Sequence, residues 1–151
     1  MPKNERVTEE NYGRFRDMVF WRESGAERAG VQEKAPEGVR RAFAQGLRVY
    51  AAEEEGRFVG WIALAYIPKV SRFFGPGYVY VDELWVQEGY RRRGIGSALL
   101  ETADAWAEES GAVGVRLYVN AQNPAAKRLY EKHGFAGSGV ACFMEKERAR
   151  G

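Results

Sequence analysis

The chain's chemistry concentrates in Val86-Gln87-Glu88-Gly89-Tyr90-Arg91-Arg92-Arg93-Gly94-Ile95-Gly96-Ser97. An apolar run ends, three arginines follow, and Gly94 and Gly96 open an amphipathic stretch. A helix N-terminus leaves backbone N–H groups unpaired and carries partial positive charge. Glycine lets a ligand approach the backbone closely. Together these features suit a phosphate or pyrophosphate, and Arg91, Arg92 and Arg93 would add charge-assisted hydrogen bonds. The string Gly-x-x-x-x-Gly-Lys-Ser/Thr of a Walker A loop does not occur. A dinucleotide fingerprint fits poorly, because Leu99 stands where its third glycine belongs and Asn120, not an acid, ends the next strand. Taken alone, the segment also reads as a solvated arginine-rich turn before a helix, which is the lesser of the two readings.

Asp82 and Glu83 lie inside the strongest strand-forming run, where acids are disfavoured. An acid that breaks a local rule is a candidate for function. Strand alternation sets the two on opposite faces, unless a bulge intervenes. The plainer account has one facing solvent and the other pairing with an arginine. His133 precedes Gly134 in a predicted last helical turn, where capping suffices. Cys142 reads as a small buried hydrophobe in a strand, with no neighbouring base to make it a nucleophile. No cysteine or histidine cluster offers a metal site.

The elements that must position these residues follow from hydrophobic period. Residues 8–21 read as an amphipathic helix with Tyr12, Phe15, Met18 and Val19 on one face. Residues 24–38 read as loop, and Val39, Ala42 and Phe43 mark a short second helix stopped at Gly46. Residues 47–52 and 57–67 form a hairpin across Glu55-Gly56. A loop containing Phe73-Phe74 leads to a strand over 78–86. A helix over 94–110 buries Leu99, Ala103, Trp106 and Ala107, and Gly111 follows its end. Residues 115–119 read as a strand buried on both faces and parallel to its predecessor. Asn123 caps a helix whose first turn holds Pro124, and 140–145 is a final strand. Alternating elements of this kind make a mixed α/β fold.

The 151 residues fit one domain over 1–151. The net charge of +2 argues against nucleic acid or a membrane surface as partner. A lone cysteine suits a reducing compartment. The first residues lack a signal-peptide core, and no apolar run is long enough to span a bilayer, so a cytoplasmic location is expected.

Arg91-x-x-Gly94-x-Gly96 after Val-Asp-Glu-Leu-Trp-Val resembles the acetyl-CoA signature of the GCN5-related N-acetyltransferase (GNAT) family. Asn123-Pro-Ala-Ala-Lys-Arg-Leu-Tyr130-Glu-Lys-His-Gly134-Phe135 is similar to the family's second signature. The resemblance is strong over residues 78–135 and looser over the hairpin before them. It implies a central, mostly antiparallel sheet flanked by helices, with acetyl-CoA as co-substrate and no metal. It implies that the backbone of Arg91, Arg92, Arg93, Gly94, Ile95, Gly96 and Ser97 wraps the pyrophosphate. Leu84, Trp85 and Val86 would pair with the pantetheine arm as a strand does, in a cleft between Val86 and Val119. Asn123 would contact pantetheine or phosphate as well as capping its helix. Tyr130 matches the family's frequent general acid, where a neutral phenol protonates the leaving thiolate. The attacking amine must lose a proton, and the resemblance places an acid at Asp82 or Glu83, with a preference for Asp82. Trp21, Tyr66, Phe73 and Phe74 would line an acceptor pocket, although packing accounts for each of them too. The acceptor would be a small-molecule or peptide amine attacking directly in a ternary complex, and a homodimer is in keeping with the family. A non-catalytic coenzyme A-binding sensor or partner module is the alternative.

Overall fold

The computed structural model describes residues 2–30, 33–70, 76–137, 139 and 141–149. The longest apolar run of the chain is its longest strand, β3 (Arg57–Ile67), and most of it is buried. The preceding strand β2 (Arg48–Glu54) pairs with it antiparallel. Glu55 and Gly56 turn the hairpin with φ of 55° and 79°, the positive pair that a tight two-residue turn requires. Strand β4 (Tyr78–Val86) lies antiparallel on the other side of β3, and β5 (Val115–Leu117) runs parallel to β4. A short strand β1 (Lys3–Arg6) borders β2, so the sheet order is β1-β2-β3-β4-β5.

Helices cover both faces. Helix α1 (Tyr12–Ser24) buries Tyr12, Met18 and Val19, and with Phe43 of α2 (Glu37–Ala44) it covers Val49, Phe58, Trp61 and Ala63. Helix α3 (Ile95–Ser110) presses Ile95, Leu99, Leu100, Ala103 and Trp106 onto Ile62, Leu64, Val79 and Val81. Each fully buried Leu or Ile side chain there contributes about 1.5–3 kcal/mol. Leu129 and Tyr130 of α4 (Pro124–Lys132) pack at the margin of this core. The mixed α/β fold with a mostly antiparallel sheet is as the sequence led us to expect.

Several details differ. Helix α1 starts at Tyr12, because Asn11 accepts from the Thr8 N–H at 2.7 Å and donates to the Arg6 carbonyl at 2.9 Å, which holds the residues before it in a turn. Strand β1 has no apolar pattern to betray it. Long-range polar contacts hold it instead: Asn4 Nδ2 donates to the Ala98 carbonyl at 2.9 Å, and Arg14 reaches Glu5 at 3.2 Å. Strand β5 is not buried on both faces and ends at Leu117. Arg116 is exposed, and among the described residues β5 is the last strand of the sheet. The expected strand over 140–145 is not formed by its described residues 141–145, and Val140 lies outside the described residues. Cys142 is therefore exposed rather than buried.

Candidate active site

Beyond β4 the chain makes a tightly held turn. The Gln87 N–H donates to the Val59 carbonyl at 2.8 Å, and the Gln87 side chain accepts from the Gly89 N–H at 2.6 Å. A single 3-10 turn, Glu88–Tyr90, leads into the arginines. Their roles separate. Arg91 Nε donates to the Val86 carbonyl at 2.9 Å, fixing the strand end. Arg93 lies 4.9 Å from the centre of the Tyr90 ring and reaches Glu54 at 3.5 Å. Arg92 is exposed, has φ of 65°, and makes no ion pair or hydrogen bond among the described residues.

Gly94 caps α3 with φ of 81°, and no side chain caps the helix. The helix ladder begins where the Ala98 N–H donates to the Gly94 carbonyl at 3.0 Å. The N–H groups of Ile95, Gly96 and Ser97 precede that bond, and helix geometry leaves them without intrahelical partners. A Cβ on Gly94 would meet nothing within 4 Å, so the space around that backbone is open. Gly96 is different, since its Cβ would lie 3.2 Å from Leu129 Cδ2. Its bareness lets α4 approach α3. Uncapped amides, positive helix potential and a free guanidinium can together hold a pyrophosphate.

The strands beside this turn part. Pairing between β4 and β5 runs from Val79↔Val115 to Val81↔Leu117 and stops. Leu84, Trp85 and Val86 pair with Ile62, Trp61 and Gly60 of β3. Their other edge has no strand beside it among the described residues. Such an edge can take an extended ligand arm by strand addition. Leu84 and Val86 turn their side chains to the α3 face, and Trp85 packs against Trp61 in a tilted pair with ring centres 4.9 Å apart.

Tyr130 packs against the same core cluster as Leu84 and Val86, and its ring meets Phe135 edge-on at 5.8 Å. Burial pushes its phenol above the ordinary tyrosine value, which keeps it protonated. Its hydroxyl makes no hydrogen bond among the described residues. Asn123 Oδ1 accepts from the Ala126 N–H at 3.1 Å, so its capping role is realised. His133 is the C-cap of α4.

The two carboxylates do not face opposite ways. Register slips between Ala63 and Leu64, so that Glu83 opposes Ala63, Val81 opposes Leu64, and Asp82 is the extra residue. Val79 and Val81 face α3 before the bulge, and Leu84 and Val86 do so after it. That parity change turns both Asp82 and Glu83 to the α1 face. Glu83 meets Arg22 of α1 at 3.7 Å, and the Arg22 guanidinium lies 5.2 Å from the centre of the Trp61 ring. Asp82 is exposed, without an ion pair or hydrogen bond among the described residues. Sequence reasoning missed Arg22, whose contact joins α1 to β4 and leaves no local signal. Trp21 packs edge-on to Tyr90 at 6.3 Å, and the Tyr66 hydroxyl accepts from the Gly77 N–H at 2.6 Å. Phe73 and Phe74 lie outside the described residues.

Residues 14–135 match the model of the acetyltransferase (GNAT) family. The chain belongs to that family. Over 95 residues it is 34% identical to streptothricin acetyltransferase A of Bacillus subtilis (strain 168), covering 61% of this chain and 55% of that one. The chain spans about half the length of the curated relatives it matches. Among solved structures, an aminoglycoside acetyltransferase from an uncultured soil metagenomic sample superposes with a TM-score of 0.77 at 19% identity, covering 97% of both chains. An aminoglycoside N-acetyltransferase in complex with CoA superposes with a TM-score of 0.73 at 15% identity, covering 96% of this chain and 99% of that one. At these identities the superpositions speak for the fold.

Proposed function

We propose that this GNAT-family chain transfers the acetyl group of acetyl-CoA to a primary amine of a small molecule, by direct attack in a ternary complex. The observation that carries this reading is the uncapped N-terminus of α3 lying beside the unpaired edge of β4. The amides of Ile95, Gly96 and Ser97, with Arg92, would hold the pyrophosphate. The main chain of Leu84, Trp85 and Val86 would hold the pantetheine arm, and Asn123 would support it. Acetyl-CoA supplies the activated acetyl thioester. Asp82 accepts a proton from the acceptor ammonium, directly or through water, and Glu83 with Arg22 orients the acceptor. Tyr130, kept neutral by burial, donates its proton to the departing sulfur, and the nitrogen's second proton restores the phenol as the amide forms. Relatives named for streptothricin and aminoglycoside acetylation favour a small-molecule acceptor over a peptide. The same names favour catalysis over a coenzyme A-binding module without turnover. Among the described residues no helix is long and apolar enough to cross a membrane. A cytoplasmic setting belongs to this proposal.

The test is turnover. The purified chain, acetyl-CoA and a panel of primary amines are incubated, and both free thiol and acetylated amine are measured. Stoichiometric appearance of the two supports the assignment. Saturable acetyl-CoA binding with no product from any amine would return the chain to the non-catalytic reading.

A further inference from the structure

The aromatic rings of this protein are treated unequally. Several rings, buried and exposed, carry a cation of the protein itself. Arg14 lies 4.0 Å from the centre of Phe58, Arg48 lies 4.3 Å from Trp106, and Arg116 lies 4.2 Å from Tyr78. A second group carries none among the described residues. Tyr80 of β4 meets Tyr118 with ring centres 6.1 Å apart, and Tyr118 meets Phe143 at 5.6 Å. Tyr118 is 65% exposed and Phe143 is 64% exposed. This row of rings begins beside the bulge, because Tyr80 shares the α1 face of β4 with Asp82. The Asp82 charge, after burial, helps push the Tyr80 phenol above its ordinary value.

Uncovered rings beside an unpaired carboxylate make a chemically specific surface. An isolated exposed ring needs no explanation. A contiguous row of them marks a binding site. The negative faces of the rings and the free Asp82 both favour positive charge. The cavity of about 340 Å³ on the other flank of α1 offers no such surplus: among its lining residues Arg28 pairs with Asp17 at 2.8 Å and Arg57 pairs with Glu27.

We infer that Tyr80, Tyr118 and Phe143 form a subsite for a second cationic group of the acceptor, so that the preferred substrates are diamines or larger polycations. The reacting ammonium meets the carboxylates of the bulge, and the distal cation rests on the rings of Tyr118 and Phe143. This inference rests on the acetyltransferase reading and names its substrate class.

Cadaverine and pentylamine have the same carbon chain and differ by one ammonium group, so their kcat/KM ratio reads the subsite. The wild-type chain should favour cadaverine by about tenfold. Tyr118→Ala and Phe143→Ala should each bring the ratio towards unity, and Tyr118→Phe should retain it. Equal kcat/KM for the two amines, or a preference that survives Tyr118→Ala, would overturn the inference. If neither amine is acetylated, the ratio cannot be formed, and the amine panel decides the enzymatic reading. In that event, titration of cadaverine followed by aromatic proton NMR still decides the subsite. Saturable shifts at Tyr118 in the wild type, absent with pentylamine, support it, and unshifted rings overturn it.

Discussion

The Arg22 guanidinium stands 3.7 Å from the Glu83 carboxylate, tying the last turn of α1 to the bulge of β4. Asp82, the extra residue of that bulge, has no such tie. The two acids thus share a face and differ in freedom. Asp82→Asn should lower kcat by about a hundredfold, within the usual range for loss of a general base. Glu83→Gln should mainly raise the KM for the amine. A steady-state comparison of the two variants checks this assignment. A larger kcat loss in Glu83→Gln would reverse it.

Tyr130 lies in the core margin without a hydrogen-bond partner among the described residues. Tyr130→Phe keeps the packing and removes only the proton. It should lower kcat by about a hundredfold and leave acetyl-CoA affinity within about twofold. The pH profile is a second readout. Burial raises this pKa, so the active protonated form persists through neutral pH, and kcat falls only as pH rises past about 10. The same shift gives a linkage sign. The folded chain holds the proton more tightly than the unfolded chain, so the associated stability is full below about pH 10 and is lost as pH rises towards the folded pKa. Tyr130→Phe should remove that alkaline loss, which denaturant titrations at alkaline pH would show.

Gly60 lies opposite Val86, at the strand end that precedes the arginine turn. A Cβ there would fall 2.8 Å from the Trp85 carbonyl oxygen and 3.3 Å from Val86 Cα. The backbone cannot yield as a flexible side chain can, so Gly60→Ala should cost about 1–3 kcal/mol. Calorimetric melting should register a fall of about 2–4 °C for each kcal/mol. Because the displaced atoms include the proposed pantetheine edge, acetyl-CoA affinity should weaken in the same variant.

Local chemistry made much of this legible in the sequence. Strand β4 has the bounds its β-branched and aromatic run dictates, and Asn123-Pro124 caps α4 as their types require. The apolar stripe of α3 buries Leu99, Ala103 and Trp106. Properties set by distant partners were hidden. Strand β1 is polar and is held by Asn4 and Arg14 across the fold. The bulge at Asp82 appears only in the register against β3. Arg91 and Arg93 look equivalent to Arg92 in the sequence, yet tertiary contacts commit them to Val86, Tyr90 and Glu54. The continuous apolar run over 140–144 reads as a strand, but propensity supplies no pairing partner.

The central claim is that the start of α3 holds the pyrophosphate of acetyl-CoA, and titration calorimetry with two glycine variants tests it most directly. Gly94 and Gly111 both have positive φ, 81° and 69°, at opposite ends of α3. Valine strains either position by about 1–3 kcal/mol, but only at Gly94 does it crowd the uncapped amides. The account predicts one saturable acetyl-CoA site in the wild type, weakened about tenfold or more by Gly94→Val and little changed by Gly111→Val. No binding to the wild type, or equal affinities for wild type and Gly94→Val, would contradict it.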